Sequence, residues 1–384
     1  MISLKEALSL VAEHAVLVRA ETVALVDAVG RVLAEDAVAR FDQPPRAVSV
    51  MDGYAVRKAD VAPGAELRVV GEAKAGTGFA GTVGPGEAAR IFTGAVVPGG
   101  ADRVVMQENV ERLGDTARIT EATGPDFVRA RGSDFREGEV LVTARTRLRP
   151  GHVMALAAAG YAEVAVGAAV RVGILRGGDE LVPAGGERGP DRIVDANGPG
   201  LMALLRSWGH APVDLGIVRD DPEEIRARIE GALGEVDVLM PVGGASVGEH
   251  DHMQRVLADL GAEPVFSKVA VKPGKPVWLS RLGKARVLGL PGNPGSAWVC
   301  AHVFLAELLR DPRPVTTLPL GAALPEGGRR AEYLRAVVRN GQLYPVGTQD
   351  SGLTRTIAEA DALVFHMAEV PASRRGDVLR CIRL

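Results

Sequence analysis

The chain has 384 residues, 47% hydrophobic and 24% charged, with a formal charge of −3. Those proportions exclude a disordered chain, the length exceeds one ordinary core, and the near-neutral charge excludes bulk attraction to nucleic acid or an anionic membrane. Two cysteines, Cys300 and Cys381, make neither a disulfide framework nor a cysteine-based zinc site, and neither a signal-peptide pattern nor a run of 18 apolar residues is found, so a cytoplasmic protein is expected.

Ser3 and Glu6 form a capping box ahead of a helical stripe, Leu4, Ala7, Leu8 and Val11. From about 41 to 145, short runs (LRVV, AARIF, DRVVMQ, ARIT, EVLV) alternate with Gly/Pro clusters, which predicts a β-rich unit. Helical pattern returns at 151–159 and stops at Gly160. Residues 1–40 and 146–170 are therefore expected to form one discontinuous helical and linking domain, with 41–145 inserted into it.

Between 171 and 312 the pattern changes again. Apolar runs at 172–175, 213–218, 236–242, 265–271 and 287–290 are separated by predicted helices. One helix carries Leu201, Leu204, Leu205 and Trp208 and ends at Gly209; the next opens at Asp221-Pro222; others cover 253–260 and 295–310. This alternation predicts an α/β/α unit around a parallel sheet. After the linker Asp311-Pro312-Arg313-Pro314, the runs EYLRAVV, ALVFHM and DVLRCIRL predict a small β domain over 313–384. The fold class is α/β plus β, in several domains.

Ligands of open α/β sheets bind beyond the carboxyl ends of the strands. The five runs are followed by Gly177-Gly178-Asp179-Glu180, Arg219-Asp220-Asp221, the segment from Gly243-Gly244 to Asp251, Lys272-Pro273-Gly274-Lys275-Pro276, and Pro291-Gly292-Asn293-Pro294. Gly243 and Gly244 let backbone amides approach an anion, Asn293 precedes a helix N-terminus, and Lys272 and Lys275 add positive charge. The carboxylates Asp179, Glu180, Asp220 and Asp251 suit Mg²⁺ shared with substrate phosphate. A phosphorylated ligand bridged by a metal is expected. Gly76-Thr77-Gly78-Phe79-Ala80-Gly81 has dinucleotide spacing but no helix behind it, and neither a P-loop nor a nucleophilic triad is present. Asp52-Gly53 by itself fits a hairpin turn.

The motifs SVMDGYAV, RIFTGAVVP with DRVVMQE, RGSDF, GDEL, IVDAN, RDDP, GGASVGEHD, KVAVKPGKP and LPGNPGSA occur in one order along the chain. Together they resemble the molybdopterin molybdenumtransferases, the MoeA family to which the E-domain of gephyrin also belongs. The resemblance implies functional positions at Asp52, Thr93, Asp134, Glu180, Asp220, Ser246, Asp251, Lys272, Lys275, Pro291, Pro294, Ser296, Arg335 and Ser351. It implies insertion of molybdenum from molybdate into adenylylated molybdopterin, with release of AMP and Mg²⁺ on Glu180, Asp220 or Asp251. Molybdate would sit on Lys272, Lys275, Arg335 and Ser351. It also implies a homodimer, with Asp52 and Thr93 arriving from the partner subunit, and a molybdopterin adenylyltransferase as pathway partner. That adenylyltransferase activity is the alternative function. The chain departs from the family at Arg176 and Val242, where a hydroxyl is usual, at His252, and in the turn Gln349-Asp350-Ser351-Gly352.

Overall fold

A computed structural model describes residues 1–243 and 252–384. The first helix, Leu4–Glu13, is capped by Ser3, whose hydroxyl accepts from the Glu6 amide at 3.1 Å. Its buried face, Leu4, Ala7 and Val11, joins the core that holds Val172, Val238 and Phe304. Backbone bonds from Ile2 to the Lys268 carbonyl and from Val16 to the Leu308 carbonyl fasten both flanks. This helix thus packs on the α/β unit, not with the rest of 1–40 as expected.

That unit pairs Ala20–Ala24 antiparallel with Glu163–Gly167, and Ala37–Val38 with Val140–Val142. Helix Pro150–Ala158 closes a core of Leu25, Leu33, Leu148, Leu156 and Val166. Between the two passes the chain builds a six-stranded mixed sheet in the order Arg103–Met106, Gly53–Val56, Glu87–Ile91, Glu66–Ala73, Thr116–Ile119, Val110–Leu113. Asp52-Gly53 makes no hairpin here. Gly53 lies in the ladder opposite both Ile91 and Met106. A Cβ on it would stand 2.0 Å from the Val105 carbonyl oxygen, so only glycine permits that triple contact.

The α/β unit is also a six-stranded sheet, in the order Ala211–Val218, Arg171–Gly177, Val238–Val242, Ala285–Gly289, Trp278–Leu282, Glu263–Phe266. The first four strands are parallel, as the apolar runs predict. The last two are not: Trp278–Leu282 pairs antiparallel with both neighbours. The expected fourth run is split. Glu263–Phe266 forms the sheet edge, whereas Val271–Lys272 leaves to pair in parallel with Ala331–Arg339 of the C-terminal sheet. Helices Asn197–Ser207 and Pro294–Cys300 cover one face, and Pro222–Ala232 and His252–Asp259 the other. The expected helix 295–310 is interrupted by a π-helical turn at Ala301–Leu305.

The C-terminal sheet runs Val271–Lys272, Ala331–Arg339, Ala362–His366, Val378–Arg383, Val315–Pro319, with Gln342–Pro345 paired to the long strand. Asp311, at the start of the linker, is buried and ion-paired with Arg147 from the small unit. Arg147 also donates to the Gly30 and Trp208 carbonyls at 2.6 Å each. One guanidinium therefore joins three parts of the chain.

Candidate active site

The carboxyl ends of the parallel strands open on a cleft of about 750 Å³, lined among others by Glu180, Ile193, Asn197, Gly243, Pro291, Asn293, Ser296 and Thr354. A larger groove of about 910 Å³ lies at the opposite, amino-terminal edge of the sheet and contains none of the expected site residues.

Three glycine turns shape the cleft. Gly243 has φ +86°, and a Cβ there would come within 2.7 Å of the Gly177 carbonyl oxygen, so the two strand ends touch only because residue 243 has no side chain. Gly292 lies against Gly243, its Cβ position 3.4 Å from the Gly243 Cα. At Gly178, φ +149°, the turn folds the Glu180 carboxylate back over the loop. The Asp179 carboxylate accepts from the Asp220 amide at 3.2 Å, which brings the loops of two neighbouring strands together.

The C-terminal domain supplies the cleft's other wall. The Gly295 amide donates to the Ser351 carbonyl at 2.7 Å, and Asn293 Nδ2 donates to Ser351 Oγ at 3.1 Å. A side chain at 295 would collide with this loop and with Arg335, its Cβ position being 2.9 Å from Ser351 O and 2.8 Å from Arg335 Nη1. Lys272 and Lys275 lie on the stretch that crosses between the two sheets. Lys272 is exposed and pairs with Glu332 at 3.1 Å. The ammonium of Lys275 is exposed and meets no acceptor among the described residues.

Residues 2–160 match the family described as MoeA N-terminal region (domain I and II), 173–311 a probable molybdopterin binding domain, and 317–382 the MoeA C-terminal region (domain IV). A molybdopterin molybdenumtransferase of a Nostoc species is 38% identical over 299 residues, covering 76% of this chain and 69% of that protein. The chain belongs to the molybdopterin molybdenumtransferases. The Bacillus subtilis molybdopterin molybdenumtransferase is 31% identical over 378 residues, covering 93% of this chain and 87% of that protein. A crystal structure of a molybdopterin biosynthesis MoeA protein from Pyrococcus horikoshii superposes with a TM-score of 0.80 at 28% identity, covering 100% of both chains.

The molybdenumtransferase motifs fall into two spatial groups. Gly243, Pro291, Asn293, Pro294, Ser296 and Glu180 line the cleft; Asp220 and Ser351 stand on loops beside it, Lys275 directly precedes Pro276, which lines it, and Lys272 lies in strand Val271–Lys272. Gly244, Ser246 and Asp251 lie outside the described residues. Asp52, Thr93 and Asp134 belong to the inserted unit and do not line the cleft. Asp52 precedes strand Gly53–Val56 and Thr93 follows Glu87–Ile91, so the antiparallel register of Gly53 with Ile91 puts them side by side. Asp134 is exposed on a loop stitched to the 42–44 segment, its amide bonded to the Gln43 carbonyl at 3.0 Å.

Arg335 requires a correction. An open guanidinium facing molybdate is expected, but the residue is fully buried. Its nitrogens donate to Thr356 Oγ1 at 2.7 Å, the Asp350 carbonyl at 2.9 Å and Gln349 Oε1 at 3.4 Å. In this geometry it is a strut beneath the loop that carries Ser351. Three residues were missed by sequence reasoning: Asp195, Asn197 and Thr354. Asp195 and Asn197 precede or open a helix at a strand edge, a signal present in Ile193-Val194-Asp195-Ala196-Asn197 but not weighed for the cleft. Thr354 carries no local signal.

Proposed function

We propose that this chain inserts molybdenum from molybdate into adenylylated molybdopterin and releases AMP. The observation that carries the reading is the meeting of the Asn293 turn with Ser351. It joins the glycine-lined edge of the α/β sheet to the C-terminal domain in one cleft.

The pterin nucleotide would lie along the Gly243 and Gly292 turns, where backbone amides and the N-terminus of the helix from Pro294 favour phosphate. Ile193 and Val194, both exposed at the cleft, offer an apolar wall for the ring system. Molybdate, a dianion, would be drawn to the ammonium of Lys275 and to Lys272, with the Ser351 hydroxyl as a neutral donor. Arg335 would act from below by holding that loop. Placing the dithiolene sulfurs beside the oxyanion turns a bimolecular ligand exchange into a local one. Among the described residues the cleft presents no nucleophile paired with a base; the ligand exchange needs none, and water takes up the anhydride bond that breaks as AMP leaves.

Glu180 and Asp220 offer hard oxygen donors for Mg²⁺, with Asp251 as a third outside the described residues. Among the described residues no three Asp, Glu, His or Cys side chains form a metal cage. That suits an ion coordinated by one or two carboxylates together with substrate phosphate and water. When bound, Mg²⁺ would offset charge on the phosphates as AMP leaves.

The working unit in this reading is a homodimer in the cytoplasm. Asp52 and Thr93 complete the cleft of the partner subunit, and a molybdopterin adenylyltransferase supplies the substrate. Equilibrium sedimentation tests the dimer, and assay of AMP and molybdenum cofactor from adenylylated molybdopterin and molybdate tests the reaction.

A further inference from the structure

Arg176 is a guanidinium inside the α/β sheet, at a place where the family resemblance leads one to expect a hydroxyl. Its side chain is 7% exposed and that of its partner Asp195 is 3% exposed. Arg176 Nε donates to Asp195 Oδ2 at 2.9 Å, and Nη1 donates to the Ile174 carbonyl at 3.0 Å and to Asp214 on the neighbouring strand. The other Asp195 oxygen accepts from the Gly198 amide at 2.9 Å, in the first turn of helix Asn197–Ser207. Gly198 fits so closely that a Cβ would stand 2.5 Å from Asp195 Oδ2 and 2.8 Å from Arg176 Nε. One residue away, Asn197 Nδ2 donates to the Gly292 carbonyl at 2.7 Å.

We propose that Arg176 is a positioning residue for the pterin nucleotide. It orients Asp195, Asp195 fixes the first turn of the helix, and Asn197 then holds the Gly292 turn against which the phosphates lie. The inference rests on the placement of the nucleotide in this cleft given above. A lysine cannot replace the guanidinium fully, because its three donors radiate from one nitrogen, whereas Arg176 meets Asp195 and Asp214 with two separate nitrogens in a fixed plane.

The test is steady-state kinetics of four variants, with Tm measured for each. Arg176→Met should raise KM for adenylylated molybdopterin about tenfold, the effect of one charge-assisted hydrogen bond, and leave the molybdate dependence at saturating nucleotide unchanged. Arg176→Lys should recover part of that loss. Asn197→Ala cuts the tie to Gly292 but keeps the ion pair, so it should reproduce the rise in KM even if Arg176→Met does not fold. Ile193→Glu places a negative charge at an exposed position of the cleft and should raise KM directly. If Ile193→Glu raises KM while Asn197→Ala and any folded Arg176 variant show only a lower Tm, Arg176 merely stabilises the fold and the inference is overturned. If Ile193→Glu also leaves KM unchanged, the nucleotide binds elsewhere and the cleft assignment falls with it.

Discussion

Thr93 gives both its amide and its hydroxyl to the same oxygen of Asp52, each at 2.7 Å. The amide bond, then the hydroxyl bond, with help from the charge of Arg90, hold the Asp52 carboxyl below its ordinary value of 3.8. A carboxylate whose folded pKa is depressed contributes stability above its unfolded pKa, and that contribution is lost as pH falls through the folded value. Thr93→Val keeps the amide and removes the hydroxyl. It should move the Asp52 titration upward, toward 3.8, and start the acid unfolding of the inserted unit at higher pH. Carboxyl carbon NMR shifts followed against pH would read this, and a titration identical to that of the unaltered protein would mean that the hydroxyl bond is not made in solution.

The two lysines should behave differently. Lys272 is engaged with Glu332 at 3.1 Å, whereas Lys275 meets no acceptor among the described residues. Lys275→Ala should weaken molybdate capture roughly ten- to a hundredfold, as loss of one charge-assisted bond worth about 1.5–3 kcal/mol implies. Lys272→Ala should cost less, because its ammonium already shares its charge with a carboxylate. Molybdate titrations at fixed nucleotide compare the two, and an unchanged dependence in Lys275→Ala would place the oxyanion elsewhere.

The composite sites proposed above make a mixing prediction. At a molybdate concentration well below what Lys275→Ala needs for turnover, Asp52→Ala and Lys275→Ala chains should each be nearly inactive alone. After random subunit exchange, half the dimers pair one of each and carry one intact site of two, so activity should return to roughly a quarter of the unaltered level. A mixture that stays inactive after exchange is verified by mass would show that both residues act within one chain.

Arg147 and Asp311 test the joint between the parts. The Asp311 side chain is only 2% exposed, so Arg147→Met leaves a buried carboxylate with only the His210 ring, 3.4 Å away, beside it. Urea unfolding should show a loss of about 3–5 kcal/mol, the range for breaking one side of a buried pair. A loss near zero would mean that water reaches Asp311.

Much of the fold was legible from the sequence for a physical reason. The three inner parallel strands, Arg171–Gly177, Val238–Val242 and Ala285–Gly289, are buried over most of their length, and such strands read as apolar runs. The antiparallel hairpin is not legible because Trp278–Leu282 contains Ser280 and Arg281, which break the apolar run ahead of the two-residue turn Gly283-Lys284. The cap of the first helix was legible in Ser3 and Glu6, but its packing partner lies more than 150 residues away. The cleft's glycines could be read from their position after each run. Arg176 could not, since a charge in a central strand is tolerated only through Asp195 and Asp214, and no local pattern announces that pairing. The burial of Arg335 is not legible either, because it depends on Gln349 and Thr356 arriving from the following loop.

The most direct measurement is a single-turnover reaction of the purified protein with adenylylated molybdopterin, molybdate and Mg²⁺, without ATP, quantifying AMP and molybdenum cofactor together. Molybdenum insertion predicts that the two products appear in equal amounts and that omitting molybdate abolishes the cofactor. Product that forms only when ATP and unadenylylated molybdopterin are supplied would contradict it and identify an adenylyltransferase.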